Sequence, residues 1–271
     1  MMNLSSSTYY RDPKPSRDDR EEGEATIRGQ IESVRMEFPR TGYRTLRQYL
    51  KRRGIEVSEY KVRKVINKFC LQLKLKRKFV KTTDSEHDFK IYPNFVKDHE
   101  VTKLNEVWVS DITYIRVVNG FVYLAVILDL YSRKVIGWSL SKNIDTHLTL
   151  TALEMAFIRR GKPANVIHHS DRGVQYLSQE YVRFLNKNGF KISCSRKANP
   201  YDNAWAESFM KTLKVEEVYL FNYETIIDAS ERIGRFIEEV YNQKRIHSSL
   251  NYLTPTEFEI KQEKVEIKKK L

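Results

Sequence analysis

Three successive runs of alternating or apolar residues between positions 106 and 141 constrain the fold most. They read EVWVSDITYIRV, GFVYLAVILDL and KVIGWSLS, and Asn119-Gly120 is a turn signal between the first two. Three consecutive strands of this kind predict an antiparallel meander. Further along the chain, predicted helices alternate with short predicted strands. The element order β-β-β-α-β-α-β-α predicts an α/β fold in which helices flank a mixed five-stranded sheet.

A basic segment precedes these strands. Residues 41–82 contain 14 of the Lys and Arg residues and only two acids, in a chain whose net charge is +13. A block of this kind is typical of proteins that bind a polyanion, although a basic face that only aids solubility is the alternative. Two predicted helices flank Gly54, and Ser58 is a plausible N-cap of the second, which together resemble a helix-turn-helix. The candidate DNA contacts of this segment are Arg44, Arg47, Lys61, Lys64 and Lys68.

The changes in composition along the chain predict five segments. Residues 1–19 are expected to form a flexible lead, and 20–73 an all-α helix-turn-helix module. Residues 74–103 read as a basic and polar linker, and 104–220 as the α/β core. Residues 221–271 are expected to form a helical extension with a basic tail.

Several classes of protein are excluded by composition. No apolar run approaches the roughly 18 residues that a membrane span needs. The first residues lack the basic and then apolar pattern of a signal peptide, so we expect the protein to stay inside the cell. Cys70 and Cys194 lie far apart without neighbouring ligands, which argues against a zinc site or a disulfide framework.

Three carboxylates stand at positions that point to metal chemistry. Asp111 lies within the first predicted strand, where a buried charge is costly unless a partner or a cation neutralises it. Asp171 follows the fourth strand, the place where sites of α/β proteins gather, and Glu207 lies on the last predicted helix. Neighbouring elements tend to be adjacent in space, so the three are expected to converge. Oxygen ligands suit Mg²⁺ or Mn²⁺, and two such ions can support phosphoryl transfer.

The helix around Glu207 has two contrasting faces. Trp205, Phe209 and Leu213 form an apolar stripe, and the opposite face carries Asn203, Glu207, Lys211 and Lys214. On one interpretation the lysines hold a DNA backbone beside a metal-binding carboxylate. On the other, the face is simply exposed, and Glu207 and Lys211 form an i,i+4 pair worth about 0.3–0.5 kcal/mol.

Several stretches together resemble a known family. They are SDITYI, LDLYSRKVIGW, HHSDRGVQY, NPYDNAWAESFMKTLK and YNQKRIHSSLNYLTP, in this order. The chain resembles the transposases of insertion-sequence family three, the product of the second reading frame, from about residue 20 to 260. That family belongs with the retroviral integrases among the ribonuclease-H-like DDE enzymes. Unlike those integrases, this chain has no His₂Cys₂ zinc module.

The resemblance implies a DNA transposase with Asp111, Asp171 and Glu207 as its catalytic, metal-binding triad. It implies cleavage at the ends of the element with Mg²⁺ or Mn²⁺, through two ions, and strand transfer by a 3′-OH. Asn203, Lys211 and Lys214 would then contact DNA. The implied partners are double-stranded DNA, further copies of the chain and an upstream reading-frame product, in a bacterial cytoplasm near the nucleoid. The alternatives are a nonenzymatic DNA-binding regulator and a nuclease of the same fold that cuts but cannot join.

Overall fold

The protein consists of two compact units, Met1–Lys76 and Arg77–Leu271. The computed structural model describes residues 16–72, 90–196 and 200–270. The first unit is built of helices, and the second contains a five-stranded sheet with helices on both faces. Among the helices described, none combines the length and the apolar character that a membrane crossing requires.

The N-terminal unit contains three described helices. They are α1 (Arg17–Glu37), α2 (Tyr43–Arg52) and α3 (Glu59–Lys68). Their apolar side chains face one another and are buried, among them Ile27, Ile31, Val34, Leu46, Leu50, Val62 and Val65. Ser58 caps α3 as predicted, since its side chain accepts a hydrogen bond from the amide of Lys61.

The start of α1 differs from the sequence prediction. The helix begins at Arg17 and so takes up the end of the segment 1–19 that was expected to be a flexible lead. A capping box explains the early start. The Asp19 amide donates to Ser16 Oγ over 3.0 Å, and the Ser16 amide donates to Asp19 Oδ2 over 2.9 Å. Residues 1–15 of the predicted lead lie outside the described residues.

The second unit contains the predicted mixed sheet. Its strands are β1 (Val107–Val117), β2 (Gly120–Asp129), β3 (Val135–Ser141), β4 (Ile167–Ser170) and β5 (Lys191–Cys194). The strand order is β3-β2-β1-β4-β5. The first three strands form the antiparallel meander expected from the sequence, while β4 pairs parallel to both β1 and β5.

Helices cover both faces of the sheet. Helices α4 (Thr146–Arg159) and α6 (Gln179–Lys187) pack on one face, and the short α5 (Val174–Leu177) lies between them in sequence. Helices α7 (Ala204–Leu213) and α8 (Ile226–Arg235) pack on the other. The contact between β3 and α4 is so close that a Cβ atom at Gly137 would lie 2.2 Å from the carbonyl oxygen of Ala152. Any larger residue at position 137 would therefore push the helix away from the sheet.

The segment after residue 220 completes the core of the sheet and is not an appendage to it. Tyr223, Ile233 and Phe236 are buried in the same apolar cluster as the residues of β1 and β2. The last helix, α9 (Pro255–Lys270), contributes Glu259, which forms ion pairs with Lys134 and Arg160. The predicted boundary at 220 is too early, because the apolar side chains of α8 and of the π-helical turn after it cover one face of the sheet.

The second half of the segment 74–103, which was predicted to be a linker, is packed in the structure. Val96 is only 2% exposed and packs into the core cluster, and the Phe95 amide donates to Ser193 Oγ over 2.9 Å. Residues 90–103 thus pack against the sheet unit. Residues 73–89 lie outside the described part of the chain.

Candidate active site

Asp111 and Asp171 lie on neighbouring strands. In the parallel ladder between β1 and β4, Val109 pairs with His169. Asp111 and Asp171 each lie two residues beyond this pair, Asp171 directly after the end of β4, and they are close enough for the charge of Asp171 to act on Asp111. Both side chains are partly buried, whereas Glu207 on α7 is exposed.

Each aspartate is oriented by the backbone next to it. Asp111 Oδ1 accepts a hydrogen bond of 2.9 Å from the Ile112 amide. Asp171 Oδ1 accepts one of 2.9 Å from the Gly173 amide, just before α5 begins. These bonds fix the orientation of both carboxylates.

The pKa values of all three acids are raised, as expected for carboxyl groups with little positive charge around them. Burial, and then the negative charge of Asp171, raise the pKa of Asp111 to about 8, and Glu207 adds to this effect. Burial also raises the pKa of Asp171 and that of Glu207 above their ordinary values. Carboxylates whose pKa is raised by one another are stabilised by a cation. Their hard oxygen atoms are the ligands that Mg²⁺ and Mn²⁺ prefer.

The expected convergence of all three carboxylates is only partly formed. In the described ranges, no group of three or more His, Cys, Asp or Glu side chains is close enough together to hold a metal ion. The structure therefore brings Asp111 and Asp171 together, while Glu207 acts on Asp111 through its charge.

Asn203 occupies a different place from the one predicted. The sequence put it on the exposed face with Glu207, as a DNA contact, but it is only 6% exposed. Its Nδ2 donates a hydrogen bond of 3.0 Å to the carbonyl oxygen of Ser110, the residue before Asp111. Asn203 thus ties the start of the Glu207 helix to the strand that carries Asp111.

A second set of bonds holds the chain just before α7. The Asp202 carboxylate accepts from the Arg196 amide over 2.8 Å and from its guanidinium over 3.0 Å. The Arg196 side chain lowers the pKa of Asp202 to about 2. His169 Nε2 donates to the Asp202 carbonyl over 3.0 Å. These bonds hold the start of α7 and were not predicted from the sequence. The polar residues of the stretch HHSDRGVQY were the available signal.

Of the two lysines predicted beside Glu207, one is exposed and one is close to an aromatic ring. Lys211 is exposed on α7. Lys214 begins the π-helical segment Lys214–Val218, and its Nζ lies 4.6 Å from the centre of the Tyr114 ring. Burial lowers the pKa of Lys214, and the negative charge of Asp111 opposes this shift.

The basic residues predicted as DNA contacts in the N-terminal unit differ in their surroundings. Lys64 Nζ and Lys68 Nζ lie 2.8 and 2.6 Å from the two oxygens of Glu24. Arg47 Nε donates to the Val57 carbonyl over 2.9 Å, and the Arg44 guanidinium lies over the Tyr43 ring. Lys61 is exposed. Their contact with DNA stays a prediction, and for Lys64 and Lys68 it competes with an internal ion pair.

Comparison with known proteins decides the family. Residues 101–200 match the integrase core domain, and residues 188–255 match a second integrase core domain model. The chain is 35% identical over 257 residues, 94% of each protein, to the 31 kDa protein of insertion element IS600 from Shigella sonnei. It is 40% identical over 192 residues to the InsF transposase of insertion sequence IS3A from Escherichia coli K12, covering 70% of this chain and 67% of that one. The chain belongs to the IS3 family of transposases.

Members of this family are enzymes of the polynucleotidyl-transferase type, with an integrase core that catalyses DNA transposition. In this transposase the two matches overlap and together extend to residue 255. They thus include the segment after residue 220 that closes the core. A fold comparison with the HTLV-2 integrase catalytic core domain in complex with magnesium gives a TM-score of 0.45 and 21% identity, over 57% of this chain and 96% of that one.

Proposed function

We propose that this transposase cleaves DNA at the ends of its insertion sequence and joins the freed 3′ ends to target DNA, with Asp111, Asp171 and Glu207 as catalytic residues. The proximity of the two aspartates carries the proposal: β1 and β4 pair in parallel up to Val109 and His169, two residues before Asp111 and Asp171, and the charge of Asp171 acts on Asp111. The hydrogen bond from Asn203 to Ser110 supports it, because it fixes the Glu207 helix against the same strand.

The three carboxylates would hold Mg²⁺ or Mn²⁺, and the family chemistry calls for two ions. Their oxygen atoms fit such ions, and the raised pKa of Asp111 reflects negative charge that a cation would neutralise. Glu207, on the helix that Asn203 ties to β1, would supply the third carboxylate. Bound ions would lower the pKa of the attacking water or 3′-hydroxyl and stabilise the leaving oxygen.

The chain's own residues would perform the remaining tasks. The backbone bonds to Asp111 and Asp171 hold these carboxylates in fixed orientations. Lys211 and Lys214 would contact DNA phosphates beside the scissile bond. In the transfer step the 3′ oxygen bonds to the target phosphorus and the opposing P–O bond breaks, so no covalent protein–DNA intermediate forms.

We also propose partners for this chemistry. The N-terminal unit, with the helix-turn-helix pair α2 and α3, would bind the terminal repeats of the element, and its positive charge supports this. Two ends have to be joined, so we infer that several copies of the chain assemble on the DNA. An upstream reading-frame product is a further partner in the family's two-frame organisation, and the bacterial nucleoid is the place of action.

Strand transfer with a labelled DNA end tests the catalytic assignment. Asp171→Asn and Glu207→Gln are each expected to reduce both cleavage and joining in Mg²⁺ by roughly 10³-fold or more. Glu154→Gln, an exposed acid on α4, is the matched control and should retain activity. Wild-type rates in either triad variant would refute the proposal.

Two further outcomes would identify the alternatives. A protein that cuts intact ends but cannot join pre-cleaved 3′-OH ends is a nuclease. A protein that binds the ends equally well with and without the triad, and never cleaves in the presence of metal, is a regulator.

A further inference from the structure

Two exposed aromatic side chains, Phe121 and Tyr219, lie near the half-buried Tyr114 beside the candidate active site, and the three are called the aromatic patch below. Phe121 is 54% and Tyr219 is 56% exposed. The rings of Tyr114 and Phe121 meet edge to face, with centroids 5.6 Å apart. The phenol of Tyr114 is close enough to help raise the pKa of Tyr219, after burial as the main cause. Isolated exposed apolar residues are common, but here Phe121 packs on Tyr114, and Tyr219 lies one turn from the lysine that contacts the same ring.

Positive charge surrounds the aromatic patch. Lys214 Nζ lies 4.6 Å from the centre of the Tyr114 ring, in a cation–π contact. The Tyr219 amide donates to the Lys214 carbonyl over 2.8 Å, so Tyr219 and Lys214 are held in one turn. Arg116 is exposed and pairs with Phe121 across the β1–β2 hairpin, on the same face. A ligand that covers the rings would therefore meet two cations.

Lys214 lies near both the aromatic patch and the triad. Tyr114 lies three residues after Asp111 on β1, so the two side chains leave opposite faces of the strand. Lys214 lies close enough to Asp111 for each charge to shift the pKa of the other. Among the described strands, β4 pairs with β1 only at Val107, Trp108 and Val109, so the part of β1 that carries Tyr114 extends beyond β4. DNA held at Asp111 would reach the rings within a few nucleotides.

We propose that the aromatic patch binds unpaired nucleotides of the DNA strand that lies in the active site, stacking one or two bases on Tyr219 and Phe121 while Lys214 and Arg116 contact the flanking phosphates. This inference rests on the proposed function and adds a subsite for single-stranded DNA to it. Exposed rings beside cations are the usual means of binding single strands without sequence preference. The bases of a paired duplex are stacked on one another, so only a frayed or single-stranded end can use these rings.

A stacking probe tests the subsite directly in the full-length protein. The DNA is a duplex with a three-nucleotide 5′ or 3′ extension that contains 2-aminopurine, and a blunt duplex is the control. Measurements in EDTA prevent cleavage, and anisotropy of a dye at the far end reports binding. The wild type should quench 2-aminopurine fluorescence for at least one extension.

The variants separate stacking from general binding. Tyr219→Ala and Phe121→Ala should each abolish most of the quenching and weaken binding of the extended DNA about tenfold, leaving the blunt duplex unaffected. Tyr219→Phe keeps the ring and should behave as the wild type. Ile158→Ala, 66% exposed on α4, is the control for loss of an exposed apolar side chain.

The outcomes distinguish failure of the subsite from failure of the proposed function. Binding of both DNAs without quenching, or with quenching that both alanine variants retain, overturns the subsite and leaves the catalytic proposal intact. Loss of self-association in Tyr219→Ala without any change in quenching also overturns it, because the patch is then an interface between copies. Loss of quenching in both alanine variants supports the subsite even if triad variants retain full activity.

Discussion

Glu24 in the N-terminal unit and Asp111 in the sheet unit are both carboxylates shielded from water, and they are stabilised in opposite ways. The amines of Lys64 and Lys68 lower the pKa of Glu24 to about 2. Burial and neighbouring acids raise the pKa of Asp111 to about 8. Glu24 has cations built into the fold, whereas Asp111 lies within the influence of two further acids, which Lys214 and the Ile112 amide partly offset.

The difference separates a structural carboxylate from a functional one. An acid whose partners are supplied by the chain serves to hold helices together, as Glu24 links α1 to α3. Acids that raise one another's pKa cost stability, and a site of this kind is retained where an external cation completes it. The three predictions below test this comparison.

The largest effect on stability is expected from substituting Asp111 in metal-free protein. The unfolded chain releases this proton near pH 3.8 and the folded chain keeps it up to about pH 8, so the stability contributed by Asp111 falls as pH rises through this window. Asp111→Asn removes the penalty. At pH 8 in EDTA we expect its thermal midpoint to be about 5 °C above the wild type, with no difference near pH 4.

Magnesium should reverse this order, since it stabilises the wild type and not Asp111→Asn. Asp98→Asn is the control, because the Asp98 side chain is 87% exposed. If Asp111→Asn is less stable than the wild type at pH 8 without metal, burial and neighbouring acids do not destabilise the ionised Asp111 carboxylate.

A smaller loss of stability is expected from Glu24→Gln. The folded-state pKa of about 2 lies below the ordinary 4.5, so the stability from Glu24 is present above pH 4.5 and is lost as pH falls through about 2. At pH 7 the variant should lower the thermal midpoint of the helical unit by a few degrees and speed amide exchange in α1 and α3. Near pH 2 variant and wild type should coincide.

Glu32→Gln is the matched control for Glu24. Its partner Arg28 is on the same helix, both side chains are more than 40% exposed, and such a pair contributes little. Equal effects of the two substitutions would show that Glu24 is no more than a surface ion pair.

The smallest effect concerns the salt dependence of DNA binding. Lys61→Ala should lower the magnitude of the log–log slope of affinity against salt by about 0.9, as expected for one lost phosphate contact. Lys68→Ala should lower it less, because its Nζ lies 2.6 Å from Glu24. Equal changes in both would mean that DNA displaces Glu24 from the lysines.

Much of the fold could be predicted because its signals are local. Alternation in β1 and β2 reflects burial on the two sheet faces, and the cap at Ser58 depends on residues three positions away. The domain boundaries failed where packing is not local. Nothing near Tyr223 or Phe236 in sequence reveals that they lie against β1 and β2.

The candidate site likewise combines residues that local sequence signals could predict with contacts between distant residues that they could not. Asp111, Asp171 and Glu207 could be proposed from their places in a strand, at a strand end and on a helix, and from the family motifs, and their catalytic role stays a prediction. The bond between Asn203 and Ser110 joins residues 93 positions apart, and helical periodicity put Asn203 on the exposed face instead. The aromatic patch was missed because its members lie on a hairpin and on a turn about a hundred residues later.

The covering of the sheet by residues 223–241 also sets an order of events during translation. While this stretch is still inside the ribosome, α7 is available to cover the sheet, but the apolar side chains of Tyr223, Ile233 and Phe236 are missing from the cluster that contains Val122, Leu124 and Val126. The nascent sheet unit therefore keeps part of its apolar face exposed to water until residues 223–241 have emerged and packed.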